Sequence, residues 1–82
     1  MSLRVEWFED AEEDLKRLPD WRLADNVDAA VMRLANGVGF VLHVMHTDAP
    51  DEFRLLIPKM RTYVRIRRSP TTIFVERVIY RP

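Results

Sequence analysis

Eight basic side chains fall in residues 53–82: Arg54, Lys59, Arg61, Arg65, Arg67, Arg68, Arg77 and Arg81, against Glu76 alone. Seven are arginine, whose planar fork donates paired hydrogen bonds to phosphate and whose flat face stacks on rings. Tyr63, Phe74 and Tyr80 are interleaved with them. Guanidinium for phosphate and flat rings for unstacked bases is a combination suited to single-stranded RNA. The rest of the chain has the opposite sign. Residues 1–28 hold nine acids against four bases, and residues 29–52 hold Asp48, Asp51 and Glu52 against Arg33. The formal net charge of zero therefore conceals net charges of −5, −2 and +7 along the chain. Arginine is also an ordinary polar choice on an alternating strand, but a basic face this dense is expected to meet a polyanion.

Other chemistry is sparse. His43 and His46 stand at i, i+3 and would share a helix face as metal ligands, but no third ligand accompanies them. With no cysteine, a disulfide framework and a thiolate zinc site are both excluded, and neither a metal nor a cofactor is expected. His46 is a second-rank candidate for a general base, since histidine as a residue type changes charge near neutral pH.

The elements that must position these groups can be read from hydrophobic period. Residues 2–7 alternate Leu3, Val5 and Trp7 with Arg4 and Glu6, as a half-buried strand does. From Phe8 the period lengthens: Phe8, Ala11, Leu15 and Leu18 form one helical stripe, with acids early and Lys16 and Arg17 late, until Pro19 stops it. Asp20 is a helix N-cap. The stripe Leu23/Ala24, Val27, Ala30/Val31 and Leu34 follows, and Asn36-Gly37 supplies the stop. The two helices read as an αα-hairpin, with Trp7 and Trp21 expected to anchor it on a sheet. The acidic first helix is expected to be a solvated face, with a partner-facing surface as the alternative. Residues 38–46 fit either a short strand or a buried connector. Residues 53–57, 62–68 and 73–80 read as three strands, joined by turns at 58–61 and 69–72.

The last hairpin can be paired from its turn. With Pro70 and Thr71 at the centre, Ile66 faces Val75, Val64 faces Arg77 and Arg65 faces Glu76. One sheet face would then hold Val64, Ile66, Ile73, Val75 and Ile79, with Arg77 as an intruder. The other would hold Tyr63, Arg65, Arg67, Phe74, Glu76, Val78 and Tyr80.

Eighty-two residues make one domain, 1–82, and a domain this size buries only about 60% of its unfolded surface, so support from a partner or a second copy (a homodimer) is expected. No apolar run approaches the ~20 residues that span a bilayer, so a cytoplasmic domain with no membrane partner is expected.

This order of elements resembles the RelE/ParE superfamily of toxins from bacterial toxin–antitoxin operons. Val5-Glu6-Trp7, Phe8, Ala11, Asp14-Leu15 and Leu18-Pro19 are similar to its opening strand and first helix. Residues 53–57, 63–67 and 74–81 are similar to its closing three-stranded meander. The resemblance implies an α+β fold: an N-terminal strand, an αα-hairpin and an antiparallel meander, with the helices on one sheet face. It also implies a cognate antitoxin whose partly disordered tail wraps the toxin. RelE-like members cleave mRNA in the ribosomal A site without metal, using basic side chains to orient the 2′-OH, stabilise transition-state charge and protonate the leaving oxygen. ParE-like members act on DNA gyrase instead.

Residue by residue, Arg54 matches the family's basic position on the second strand, and Arg81 matches the Arg after the last one. The next basic position falls on Leu56. The family's Tyr-Arg on the third strand is here Tyr63-Val64, with Arg61 and Arg65 as nearby substitutes. The late Tyr of the RelE type has no counterpart up to Pro82, leaving Tyr80 or Tyr63 to stand in. The catalytic set implied is Arg54, Arg61, Arg65, Arg81 and Tyr80, with Lys59, Tyr63, Arg67 and Phe74 contacting nucleic acid. The partners implied are the antitoxin and ribosome-bound mRNA, or DNA gyrase in the alternative. A degenerate member that only binds its antitoxin or nucleic acid is the remaining reading. Ribosome-directed members are usually strongly basic, whereas this chain is neutral, so a patch here would act within the ~8 Å screening length.

Overall fold

The computed structural model describes residues 2–37, 44–46 and 50–82. Strand β1 (Arg4–Trp7) leads into helix α1 (Glu9–Lys16) and helix α2 (Trp21–Ala35), followed by β2 (Val44–His46), β3 (Glu52–Ile57), β4 (Thr62–Arg68) and β5 (Thr72–Tyr80). The five strands form one sheet in the order β1-β5-β4-β3-β2. The meander expected from the sequence is β3, β4 and β5. β1 adds to it in parallel beside β5, and β2 adds antiparallel beside β3, with Val44 opposite Leu55 and His46 opposite Phe53. Residues 44–46 of the ambiguous segment are thus strand, while 38–43, and with them His43, lie outside the described residues.

The helix boundaries follow local chemistry. The Asp20 side chain accepts a hydrogen bond from the Arg22 amide at 2.8 Å, capping α2. Gly37 takes a left-handed φ of 69° as the chain leaves α2, and its amide bonds the Leu34 carbonyl. α1 ends one turn before Pro19, with Leu18 N–H closing on the Leu15 carbonyl. Leu23, Val27, Val31 and Ala35 of α2, with Ala11 of α1, are buried against Phe53, Leu55, Ile57, Val64, Ile66, Ile73, Val75 and Val78. Both helices therefore cover one sheet face, as expected. Trp7 packs against this core, but Trp21 does not anchor it: as the first residue of α2 it is 70% exposed.

The hairpin register departs from simple alternation at one place. Ile66 faces Val75, Arg67 faces Phe74 and Arg68 faces Ile73, in the expected pairing. Beyond that, Arg65 faces Arg77 and Val64 faces Val78, which makes Glu76 the extra residue of a β-bulge. The cause is burial. Unbroken alternation would press Arg77 into the core opposite fully buried Val64, whereas one inserted residue delivers Val78 there instead. The bulge overturns the expected faces beyond it. Val78 is core, Ile79 stands opposite Tyr63, and Tyr80 stands opposite Thr62 on the helix side.

Arg77, freed from the core, reaches α1. Its Nε and Nη2 donate to the two Asp14 carboxylate oxygens at 2.7 and 3.0 Å, and Oδ2 also accepts the Val78 amide at 3.0 Å. Asp14 thus caps a β5 amide beyond the end of β1, whose last contact is Phe8 N–H to the Val75 carbonyl. The Arg77 hydrogen bonds hold the Asp14 carboxyl below its ordinary value of 3.8, and the same contact raises Arg77. Because the folded value is depressed, this contribution to stability is complete above the unfolded value and is lost as pH falls through the folded one. Asp14→Ala also leaves the Val78 amide without its acceptor, and is expected to cost about 1–3 kcal/mol. In urea melts at neutral pH the variant should unfold earlier than wild type, and the gap should shrink steadily as pH is lowered below about 4. A gap unchanged by pH would assign the loss to packing.

Candidate nucleic-acid interface

The turn between β3 and β4 sets up the most distinctive surface. Lys59 and Arg61 both adopt left-handed backbone geometry, with φ of 65° and 51°, a conformation uncommon for residues other than glycine. Local bonds hold it: Thr62 Oγ1 donates to the Met60 carbonyl at 2.7 Å, and Met60 Sδ accepts from Asn26 Nδ2 of α2 at 3.2 Å. The Arg81 amide donates to the Arg61 carbonyl at 2.9 Å, which lays the residues after β5 beside the turn. The result is an open cleft of about 560 Å³ lined by Leu56, Ile57, Pro58, Arg61, Thr62, Tyr63, Arg81 and Pro82. Arg61, Tyr63 and Arg81, three residues singled out from the sequence, come together there. Arg54 joins them indirectly, its guanidinium carbon 5.1 Å from the Tyr63 ring centroid.

A second feature was not legible in the sequence. Arg54 faces Arg65, and Arg65 faces Arg77, so three arginines occupy one row of cross-strand positions over β3, β4 and β5. Like charges directly opposite one another are destabilising. Each is relieved differently: Arg54 on the Tyr63 ring, Arg65 on Glu52 at 3.7 Å, and Arg77 on Asp14. Arg67 is engaged further still, within 4.0 Å of Asp51 and 3.6 Å of both Glu52 and Glu76. Carboxylates from β3 and the bulge therefore neutralise the middle of the face that looked basic in the sequence, and free cationic character concentrates at the cleft. Oε1 of Glu76 is buried and accepts no hydrogen bond among the described residues.

Three further expected site residues stand apart from the cleft, as Arg65 and Arg67 do. Tyr80 lines a separate hollow of about 320 Å³ with Asp14, Arg17, Leu18, Arg77, Val78 and Ile79, because the bulge turned it to the helix side. It is not among the side chains gathered at Arg61 and Arg81. Phe74 is half-buried with its ring 6.1 Å from that of Phe8, tilted by 59°. Lys59 is exposed on the turn. Leu56, Pro58 and Thr62 complete the cleft, and only the β3–β4 register brings them there. No trio of His, Cys, Asp or Glu suited to a metal occurs among the described residues, and no helix among them is long and apolar enough to cross a membrane.

No family model and no curated protein sequence matches this chain. Solved structures do. A chain of the chromosomal ParDE toxin–antitoxin system from P. aeruginosa superposes with a TM-score of 0.76 at 14% identity, over 99% of this chain and 98% of that one. The toxin–antitoxin complex RelBE2 from Mycobacterium tuberculosis gives 0.75 at 21% identity, over 99% and 100%. The RelB–RelE antitoxin–toxin complex from Methanococcus jannaschii gives 0.70 at 15%, over 92% and 88%. The fold is RelE/ParE-like.

Proposed function

We propose that this chain of RelE/ParE-like fold is the toxin component of a type II toxin–antitoxin pair, and that it acts on RNA as a RelE-like endonuclease. The observation that carries the reading is the cleft, where Arg61 and Arg81 are held side by side by the Arg81–Arg61 backbone bond, next to a Tyr63 ring backed by Arg54. A single-stranded RNA could stack a base on Tyr63 and set the adjoining phosphate between the two guanidiniums. Both arginines would strengthen their hold as a further negative charge develops on phosphorus when the 2′-OH attacks. A cognate antitoxin is the natural partner in this reading, and covering the cleft would suffice to silence the protein.

A non-enzymatic member of the same fold, gyrase-directed or purely binding, is favoured by two observations: Leu56 lies in the cleft where a base was expected, and Arg65 and Arg67 are tied to carboxylates. Controlled expression in a bacterial host separates the readings. Growth arrest with cuts in ribosome-bound mRNA at the A site is the expected result. Arrest with DNA damage and intact mRNA would indicate gyrase, and growth without arrest from folded protein would leave a binding module.

The carboxylates make a further expectation. Replacing Glu52 and Glu76 by Gln should tighten binding of a single-stranded RNA oligonucleotide about two- to five-fold per residue, matching about 0.5–1 kcal/mol for an ion pair with one partly exposed partner. Filter binding at fixed ionic strength reads this directly. Unchanged affinity would mean RNA does not use Arg65 or Arg67.

A further inference from the structure

We propose that Trp21 of one copy seats in the Arg61–Tyr63–Arg81 cleft of a second copy, so that the chain associates head to tail and covers its own candidate site. This holds whether or not the cleft cleaves RNA. Trp21 is 70% exposed at the first position of α2, against the usual tendency of so large a ring to be covered. Within the chain it is met by the Arg22 guanidinium, 5.5 Å from the ring centroid. The cleft offers what such a ring lacks: an apolar wall of Leu56, Ile57 and Pro58, the Tyr63 ring, and two arginines that favour an aromatic face.

Charge selects the pairing. Among the described residues no Asp or Glu side chain lines the cleft, whose lining includes Arg61 and Arg81. Trp21 is flanked by Asp20, and Asp25 and Asp28 follow at i+4 and i+7, along the same line of the helix, all three exposed. Seating the ring brings these acids toward the two arginines. A symmetric pairing of two α2 helices through the same stripe would instead set Asp25 and Asp28 of each copy against those of the other. The contact is therefore heterologous: each copy offers one knob and one hole. One tryptophan with a charged rim is a small interface, so the association is weak and concentration-dependent.

Sedimentation of the full chain tests this. At low salt the apparent mass of the wild type should rise above the 9.7 kDa monomer with concentration, and return to it in about 1 M salt, where the screening length is about 3 Å. Trp21→Ser should be monomeric throughout, as should the double variant Arg61→Glu/Arg81→Glu. All three positions are exposed, and unchanged circular dichroism verifies that each variant is folded. An equimolar mixture of the two variants should form a species of two copies and nothing larger, because one brings only the hole and the other only the knob. Wild type that stays monomeric at every concentration, Trp21→Ser that associates like wild type, or variants that fail to pair on mixing would each overturn the proposal.

Discussion

Arg81→Ala is expected to lower mRNA cleavage about 10²–10³-fold, as removal of one preorganised charge-stabilising donor does elsewhere. Growth arrest on expression should be relieved with it. The substitution is clean because the Arg81 side chain is exposed and its structural bond to Arg61 is made by the backbone, which alanine keeps. Thermal unfolding should be unchanged. Arg81→Lys should recover only part of the rate, since an ammonium restores charge without the planar fork. The loss belongs in turnover rather than affinity if the guanidinium acts chiefly on charge that develops during reaction. Full cleavage by the alanine variant would remove Arg81 from the mechanism and leave the cleft as a binding surface.

Ile66→Ala should be the most damaging of the conservative truncations. Ile66 has no exposed surface and stands mid-sheet between Phe53 and Val75, both core residues. Its neighbours are held by strands on both sides, so the cavity cannot collapse, and the cost should be about 2–5 kcal/mol. A domain of 82 residues holds only about 4–12 kcal/mol in all. Urea denaturation should therefore show a large fall in midpoint with an unchanged slope. Trp21→Ala is the control: the side chain is larger, yet the monomer should shift by less than about 0.5 kcal/mol.

That contrast shows what the sequence could and could not disclose. Period alone located both helices, because an apolar stripe and a capping Asp20 are local signals. The same holds for Gly37, whose left-handed backbone is a local demand. The weight placed on Trp21 failed because aromatic size was taken as a sign of burial, while its place at the first turn of α2 leaves it beyond the sheet. The sheet face expected for Tyr80 failed for a different reason. Strand alternation assigns a face only while the register is unbroken, and the bulge at Glu76 reverses it. The run Val75-Glu76-Arg77-Val78, two polar residues between two valines, was the available sign of that break. The contact between Asp14 and Arg77 spans 63 positions, and no pattern of residue types could have joined them. Arg61 and Arg81 were named as candidates from the resemblance, but their adjacency depends on the turn and on the strand order. The neutralising role of Glu52 could be seen only once β3 and β4 were in register.

The place of β1 in the sheet has a consequence for biosynthesis. Its sheet partner is β5, and Arg4 pairs with Thr72, so β1 waits until β5 has been translated. Until then the apolar stripe of α2 lacks the β4–β5 half of its floor, and the β1 backbone lacks its ladder. Contacts this distant in sequence form slowly, because a long loop must close before they contribute. Arg81 is translated later still, just after β5. Until β5 and Arg81 have been translated, a nascent chain therefore carries neither a finished sheet nor a finished cleft. Whatever the cleft acts on, that action begins only once Arg81 has been translated.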